Sequence, residues 1–460
     1  MLGIYTFRWT AKEARPILIR HNSLVFLTPE LFNTDPLSIA RNFMKIKKIS
    51  ISLVLCFYAL TYLAVSATAA SPAVETQKSW NPEIQELSDL IEENQELFIL
   101  FNRMFEEIPD ESKFETTPAG LPAPQNYKEL LDVLNTAVHS GPTYNPSPQV
   151  GCPLNDALAW VMGTPSGEVA FLDSRVNAVL EKLLKEWGEY LTTPDSAAVL
   201  NDDPETGWFG KAALEDMSGF EDTYICDPSE PHWGFTSWDD FFTRELKPGA
   251  RPIAEPENTN VIVNPCESAP FRLSRKVKGE DKFWLKSQPY SLRTMFDRDP
   301  RIEPFTGGTV YQAFLSATSY HRWHAPVSGK ILKIKQIPGS FYAASPANDF
   351  SAGTPAESQA FLSSVAARAY VFIESDNPAI GTIALLFIGM SEVSSCEFTI
   401  EEGEAVQKGQ EIGMFHFGGS TFCLVLQPDV EAQFFLHGQT PGEDATNIQV
   451  KQKLVDVSGG

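Results

Sequence analysis

Cysteine is scarce here and irregularly placed. The six cysteines include no C-x-x-C pair. Setting aside Cys56, which lies in an apolar stretch near the N-terminus, an odd set remains: Cys152, Cys226, Cys266, Cys396 and Cys423. A disulfide framework is not indicated; buried free thiols are expected, and one bridge stays open. Basic residues are also short, with 36 Lys and Arg against 59 Asp and Glu, a net charge of −23. Phosphate binding needs clustered Lys and Arg, so nucleic acid is excluded as a partner. No basic patch follows residue 70, so an anionic membrane surface would repel the chain, and membrane contact stays open. Apolar runs of spanning length are absent beyond the first 70 residues, and Leu53 to Val65 within them falls short of the ~20 residues a membrane helix needs. Metal-site spacing is missing too. His321 and His324 form an H-x-x-H pair with no HExxH motif and no Cys pair beside it, so no metal is expected.

The charge is uneven. Residues 1–69 hold eight basic residues against Glu13, Glu30 and Asp35, which leaves 28 basic and 56 acidic residues for the rest. Met44-Lys45-Ile46-Lys47-Lys48 is a positive n-region, Leu53 to Val65 an apolar h-region, and Ala67-Thr68-Ala69 an A-x-A cleavage site. Together they read as a secretory signal peptide beginning at Met44. Export to a periplasm or the outside follows, with a soluble mature chain; a membrane anchor is the alternative, and Met1 and Met44 both stand as starts.

After this leader (1–69) the chain first looks helical. Ile84, Leu87, Ile91, Phe98, Phe101 and Phe105 recur at helical spacing behind Asn81-Pro82, a cap and first-turn proline. Leu130, Leu131, Leu134 and Val138 form a second stripe. Val176, Val179, Leu180, Leu183 and Trp187 form a third, capped by Asp173. Proline-rich loops at 118–124 and 142–148 separate them. From Thr306 the pattern changes to short alternating runs at 308–314, 329–334, 369–373 and 383–388. The stretch from Glu402 to Gly413 reads strand, glycine turn, strand, like the hairpins of lipoyl and biotinyl carrier domains. The expected class is α+β: a helical N-terminal domain (70–215), then a β-rich catalytic domain (216–460).

Gly418-Gly419-Ser420-Thr421 stands between two apolar runs of this β-rich part. A serine behind a glycine in a tight turn can attack the glycine carbonyl and turn the amide into an ester. Elimination then leaves dehydroalanine, and hydrolysis leaves a pyruvoyl group. Taken alone the tetrapeptide is ordinary turn chemistry. Upstream stand His321-Arg322-Trp323-His324-Ala325-Pro326, Phe241-Phe242-Thr243-Arg244-Glu245-Leu246-Lys247-Pro248-Gly249-Ala250-Arg251-Pro252-Ile253 and Tyr290-Ser291-Leu292. In order and spacing these segments resemble the phosphatidylserine decarboxylase family, with its HRxHxP, FFxRxLKPGxRPI, YSL and Gly-Ser-Thr motifs. That resemblance covers roughly residues 216–460. The helical part from about residue 80 is similar to the family's tryptophan decarboxylase branch.

The resemblance implies a pyruvoyl-dependent carboxy-lyase that cleaves itself between Gly419 and Ser420. A β chain would end at residue 419, and an α chain of 420–460 would remain associated with it. The pyruvoyl group derived from Ser420 would release CO2 from an amino-acid substrate through a Schiff base, without pyridoxal phosphate. His324 is implied as the base for cleavage, and His321 as a residue of decarboxylation or substrate binding. Glu267, in Pro265-Cys266-Glu267-Ser268, takes the place of the family's Asp as the acid that orients the base. His416, by chain proximity, and Arg322, as a carboxylate or phosphate ligand, are candidate substrate contacts, each weighed against a packing or ion-pair role.

Two substrates follow from the two resemblances. Phosphatidylserine is the family's usual one and would make this an enzyme of phospholipid biosynthesis. The charge and the helical domain favour a free amino acid, aromatic and such as tryptophan. That substrate needs a closed apolar slot, for which the segment 233–242 and Phe283-Trp284 are candidate walls. A non-enzymatic carrier module is the remote alternative. It would carry a Lys in a D-K-A or M-K-M context, and neither tripeptide occurs.

Overall fold

A computed structural model describes residues 80–147, 151–280, 290–344, 359–390, 392 and 396–458. The expected leader and the Phe283-Trp284 pair lie outside these residues. The chain from Ser79 onward is one compact unit.

The helical part begins where Asn81 caps the first helix, its side chain accepting from the Glu83 amide, with Pro82 in the first turn. Helix α1 (Pro82–Glu93) buries Ile84, Leu87 and Ile91. The stripe read as continuous is broken at Asn94, whose extended backbone ends α1 and whose side chain caps α2 (Gln95–Glu106). The break shifts the helical phase. Leu97, Phe101 and Met104 turn inward, while Phe98, expected in the stripe, is 42% exposed. There follow α3 (Tyr127–Ala137), α4 (Pro153–Met162), α5 (Pro165–Leu172) and α6 (Ser174–Leu191). Asp173 caps α6 as expected, accepting from the Arg175 amide. α6 lays Val176, Val179, Leu180, Leu183, Leu184 and Trp187 against the core. Short helices α7 (Lys211–Asp216), α8 (Phe220–Thr223) and α9 (Trp238–Phe242) lead to the β-rich part, which holds two more, α10 (Leu292–Met295) and α11 (Gln359–Val365).

Thirteen strands are described: β1 (Val261–Val263), β2 (Ala269–Arg275), β3 (Thr309–Leu315), β4 (Arg322–His324), β5 (Gly329–Ile337), β6 (Arg368–Ser375), β7 (Thr382–Met390), β8 (Cys396–Phe398), β9 (Ala405–Val406), β10 (Glu411–Phe415), β11 (Gly419–Leu426), β12 (Ala432–Phe434) and β13 (Lys453–Val457). They form a seven-stranded antiparallel sheet, β2-β3-β11-β7-β6-β5-β9, and two three-stranded sheets, β4-β10-β8 and β1-β13-β12. The large sheet is covered on both faces, which is why β6, β7 and β11 read as nearly unbroken apolar runs. On β11, Phe422, Leu424 and Leu426 join one core with the small sheets. Cys423 and Val425 join a second core with α10 and α11. The strand–turn–strand at 402–413 does not close on itself, because β9 pairs with β5 and β10 with β4 and β8. Cys152, Cys226, Cys266, Cys396 and Cys423 are all free thiols. Among the described residues no helix is long and apolar enough to cross a membrane.

The helical and β-rich parts share one hydrophobic cluster. Trp187 of α6, Trp238 and Phe242 of α9, Tyr320 and Phe417 all belong to it. That shared core carries the helices to the end of the sheet where Ser420 lies.

Candidate active site

Ser420 is the second residue of the interior strand β11, paired with Leu315 on one side and Gly389 on the other. Gly418, directly before the strand, has φ 126°, a conformation in which a Cβ would be strained. The alternation of β11 puts the Ser420 side chain on the same face as Phe422, toward the small sheets. Its Oγ is buried and has no hydrogen-bond partner. A buried, unpaired hydroxyl is costly unless its position serves another purpose.

His321 stands over this end of the sheet. On β4 the ring of Trp323 lies flat on Phe387, with 3.8 Å between centroids. Phe387 pairs with Phe422, and Gly389, one pleat further along, pairs with Ser420. His321 is one pleat further along from Trp323, its carbonyl accepting from the Phe415 amide at 3.0 Å. Its ring lies beside the backbone of Ser316, the residue after Ser420's partner Leu315. The Phe242 ring stacks on it with 3.8 Å between centroids. Both ring nitrogens of His321 are buried without a partner in hydrogen-bond geometry. Burial, and then the Arg244 guanidinium, hold its pKa well below the ordinary imidazole value, against the weaker opposing pull of the Ser316 and Phe242 backbone. The ring is therefore neutral at pH 7.

His324 faces the opposite side of β4. Its Nδ1 bonds the Gly409 carbonyl at 2.9 Å and its Nε2 the Tyr320 hydroxyl at 3.0 Å. The carbonyl accepts only, so Nδ1 carries the proton and Nε2 accepts from Tyr320. Burial and then the Lys451 charge push its pKa down to about 3. A hydrogen bond from His324 to Ser420, which the role of base implies, is not formed. Nor is Glu267 hydrogen-bonded to this ring. Its carboxylate is gripped bidentately by Arg251, both bonds at 2.7 Å, because the guanidinium fork matches two carboxylate oxygens. Gly409 holds the imidazole in its place.

Arg322 is engaged as well. It donates to the Thr243 carbonyl at 2.7 Å and pairs with Glu411 at 2.9 Å. His416 is clamped between Asp239 and Glu397, each at 2.9 Å. Burial alone would lower its pKa, but Asp239 and then Glu397 outweigh it and raise the ring to about 9, so it is a cation at pH 7. A group whose pKa is raised on folding contributes stability that is fully present below its unfolded value, about 6.5, and is lost as pH rises through about 9. The melting temperature of the wild type is expected to fall about 3 °C more than that of His416→Gln between pH 6.5 and 9.5. Parallel melting curves for the two proteins would refute this.

His416 and Phe417 also line a cleft of about 470 Å³ whose other wall is α6. Leu184, Trp187, Leu191 and Phe417 give it an apolar side. Its charged groups are Glu181, Glu189, Asp239 and Glu392 against Lys185 and His416. Lys185 makes no ion pair among the described residues. Of the segment 233–242, only Asp239 reaches the cleft; Trp238, Phe241 and Phe242 are buried core. Glu392 was not foreseen. It accepts from the Asn155 amide at 2.8 Å, and burial raises its carboxyl to about 7. A lone acid between β7 and β8 gives no periodic signal in sequence. Among the described residues no cluster of three or more His, Cys, Asp or Glu forms a metal site.

The family profile for phosphatidylserine decarboxylase matches residues 238–452, and a second profile of the same description matches 81–217. The chain is similar to the decarboxylase iboD of Amanita muscaria, 45% identical over 60% of this chain and 84% of that one. It is similar to the L-tryptophan decarboxylase of Psilocybe cubensis, 37% identical over 78% of this chain and 83% of that one. It is also similar to the phosphatidylserine decarboxylase proenzyme of Fusobacterium nucleatum, 30% identical over 59% of this chain and 81% of that one. The two profiles fall on the helical part and on the sheets around Ser420, and this chain covers more than four-fifths of each of these relatives, so the chain belongs to the phosphatidylserine decarboxylase family and is a decarboxylase, a carboxy-lyase.

Proposed function

We propose that the protein cleaves itself between Gly419 and Ser420 and, with the pyruvoyl group so formed at residue 420, decarboxylates a free aromatic amino acid. The observation that carries this reading is the buried, unpaired Ser420 Oγ, at the end of the sheet where the neutral His321 ring is buried beside the Ser316 backbone. Such a pair fits a residue held for backbone chemistry, and Ser420 is the atom source that a pyruvoyl group requires. When present, that group supplies an electron sink for the loss of CO2.

The chain's own residues do the rest. Ser420 Oγ attacks the Gly419 carbonyl, and its proton passes to a base. His321, unpaired and at the right end of the sheet, is placed to hold or return a proton at residue 420. His324 meets Ser420 only after its Nε2 lets go of Tyr320. In the present arrangement it fixes β4, and with it His321, through Gly409 and Tyr320. The two chains stay associated because β11 remains zipped between β3 and β7 after the cut.

For the substrate, α6 closes the cleft beside Phe417 with apolar side chains and a surplus of acids. That lining suits an aromatic ring and an amine, with Lys185 as the cation for a substrate carboxylate. It disfavours an anionic phospholipid headgroup. Tryptophan is named by one relative and phosphatidylserine by another. The discriminating experiment measures CO2 release by purified protein from tryptophan, from phenylalanine and from phosphatidylserine vesicles. Turnover of a free aromatic amino acid at least about tenfold above that of the vesicles is expected; efficient turnover of vesicles alone would overturn the reading. Export by the leader from Met44 belongs to the same proposal, and N-terminal sequencing of the secreted protein tests it. Phosphatidylserine decarboxylation in phospholipid synthesis is the second reading, favoured by the family profiles.

A further inference from the structure

Behind Ser420, on the other face of the sheet, lies a chain of buried side chains that the proposed chemistry does not use. Tyr290 donates its hydroxyl to Gln312 Oε1 at 2.5 Å. Gln312 Nε2 donates to Thr421 Oγ1 at 3.2 Å and to Gln359 Oε1 at 3.0 Å. Thr421 Oγ1 donates in turn to the Ala313 carbonyl at 2.8 Å. Gln312 and Thr421 are fully buried, and Tyr290 nearly so. The bonds run in one direction, and they fix the Gln312 amide: its oxygen accepts from a phenol while both amide hydrogens are donated. Burial keeps the Tyr290 phenol protonated, as a donor.

Apolar residues would fill this place at less desolvation cost, as Cys423 and Val425 do further along the same face of β11. A polar chain here does what they cannot. It fastens residue 421, whose amide nitrogen bears the acyl group of residue 420, to β3 and to the loop before α10. We infer that Tyr290, Gln312 and Thr421 are positioning residues that lock the start of β11, so that Ser420 Oγ is aimed at the Gly419 carbonyl during self-cleavage. They touch none of the reacting atoms; they act through the backbone of residue 421. This rests on the reading that the chain cleaves at Gly419-Ser420.

The test follows the conversion of freshly translated full-length chain into two bands over time. Thr421→Val keeps the shape and loses the hydroxyl; Thr421→Ser keeps the hydroxyl. Cleavage should slow about tenfold in Thr421→Val and Gln312→Leu and about fivefold in Tyr290→Phe, while Thr421→Ser stays within about twofold of wild type. Hydroxylamine, which cuts the ester form, should release fragments in proportion to these rates, because the lock acts on the first attack. The same substitutions in a Ser420→Ala background, where no cleavage intervenes, should change the melting temperature by less than about 4 °C. Should Gln312→Leu fail to fold, Tyr290→Phe and the Thr421 pair carry the test. Wild-type rates in Thr421→Val and Tyr290→Phe would overturn the inference alone. So would slowing that merely follows loss of folded protein, or a Thr421→Ser as slow as Thr421→Val. A wild type that never cleaves would instead overturn the reading beneath it.

Discussion

Ser420→Ala is expected to remain a single chain and to lose decarboxylase activity altogether, a fall of at least about 10⁴-fold to the assay background. The wild type is expected to show two bands on a denaturing gel, with a small fragment starting at residue 420 and blocked to amino-terminal sequencing. The size of the effect follows from the double duty of one residue. In the proposed reaction Ser420 Oγ is the nucleophile for cleavage, and the carbon skeleton of the same residue becomes the group on which decarboxylation depends. Removing the oxygen therefore removes both steps. The fold should hardly notice, because the Oγ makes no hydrogen bond that alanine would forfeit. Loss of an unsatisfied buried hydroxyl is neutral or slightly stabilising, so the variant should melt no lower than the uncleaved wild-type precursor. Intact mass shows the single chain directly. An unprocessed wild type with full activity would sink the proposal, as would a Ser420→Ala protein that still releases CO2.

Much of this site is legible in sequence because its chemistry is tied to unusual neighbours. Gly418 and Gly419 before Ser420 mark a turn into a strand, and Gly418 does take a backbone conformation that glycine favours. The strands 369–373 and 383–388 are visible because a sheet buried on both faces selects continuous apolar residues; they differ from β6 and β7 only at their ends. What stayed hidden is pairing between distant segments. The motif order places Glu267 near His324, but nothing in it says that Arg251, sixteen residues earlier in the chain, takes that carboxylate first. The β alternation sends His321 and His324 to opposite sides. Which side holds Ser420 depends on how the small sheet lies on the large one, and the stacking of Trp323 on Phe387 decides that. Gly413 makes the stacking compatible with β10. A Cβ there would come within 2.7 Å of the Trp323 ring and 2.3 Å of the Glu397 carbonyl. In the helical part the apolar spacing runs on past Asn94 without a fault. Only the cap formed by that side chain reveals two helices, and with them the outward turn of Phe98.

The two histidines are expected to fail differently when each is replaced by alanine. His321→Ala removes a buried, neutral ring whose nitrogens have no partner in hydrogen-bond geometry, at the end of the sheet where residue 420 lies. Its main loss should fall on turnover, with kcat down about 10²- to 10⁴-fold, the range of a missing proton-transfer group. KM should change little, because the ring lies outside the apolar cleft lining. His324→Ala cuts the link between β4, the Gly409 turn and Tyr320. It should block or severely slow the appearance of two chains, so that little enzyme matures. Glu267→Gln, in contrast, leaves both bonds of His324 untouched and breaks a charge pair with Arg251 that is nearly buried, with 12% and 10% of the side chains exposed. A loss of roughly 3 kcal/mol in stability is expected from it, with cleavage proceeding in whatever protein folds. The readouts are kept apart by measuring the cleaved fraction on gels, turnover per cleaved chain by CO2 release, and unfolding by thermal melts. If His324→Ala matures at the wild-type rate, β4 does not need that anchor for cleavage. If His321→Ala retains full turnover per cleaved chain, the buried ring beside Ser316 has no part in the reaction. If Glu267→Gln cleaves tenfold more slowly at unchanged stability, its carboxylate does orient the base, and the pairing with Arg251 is not its working state.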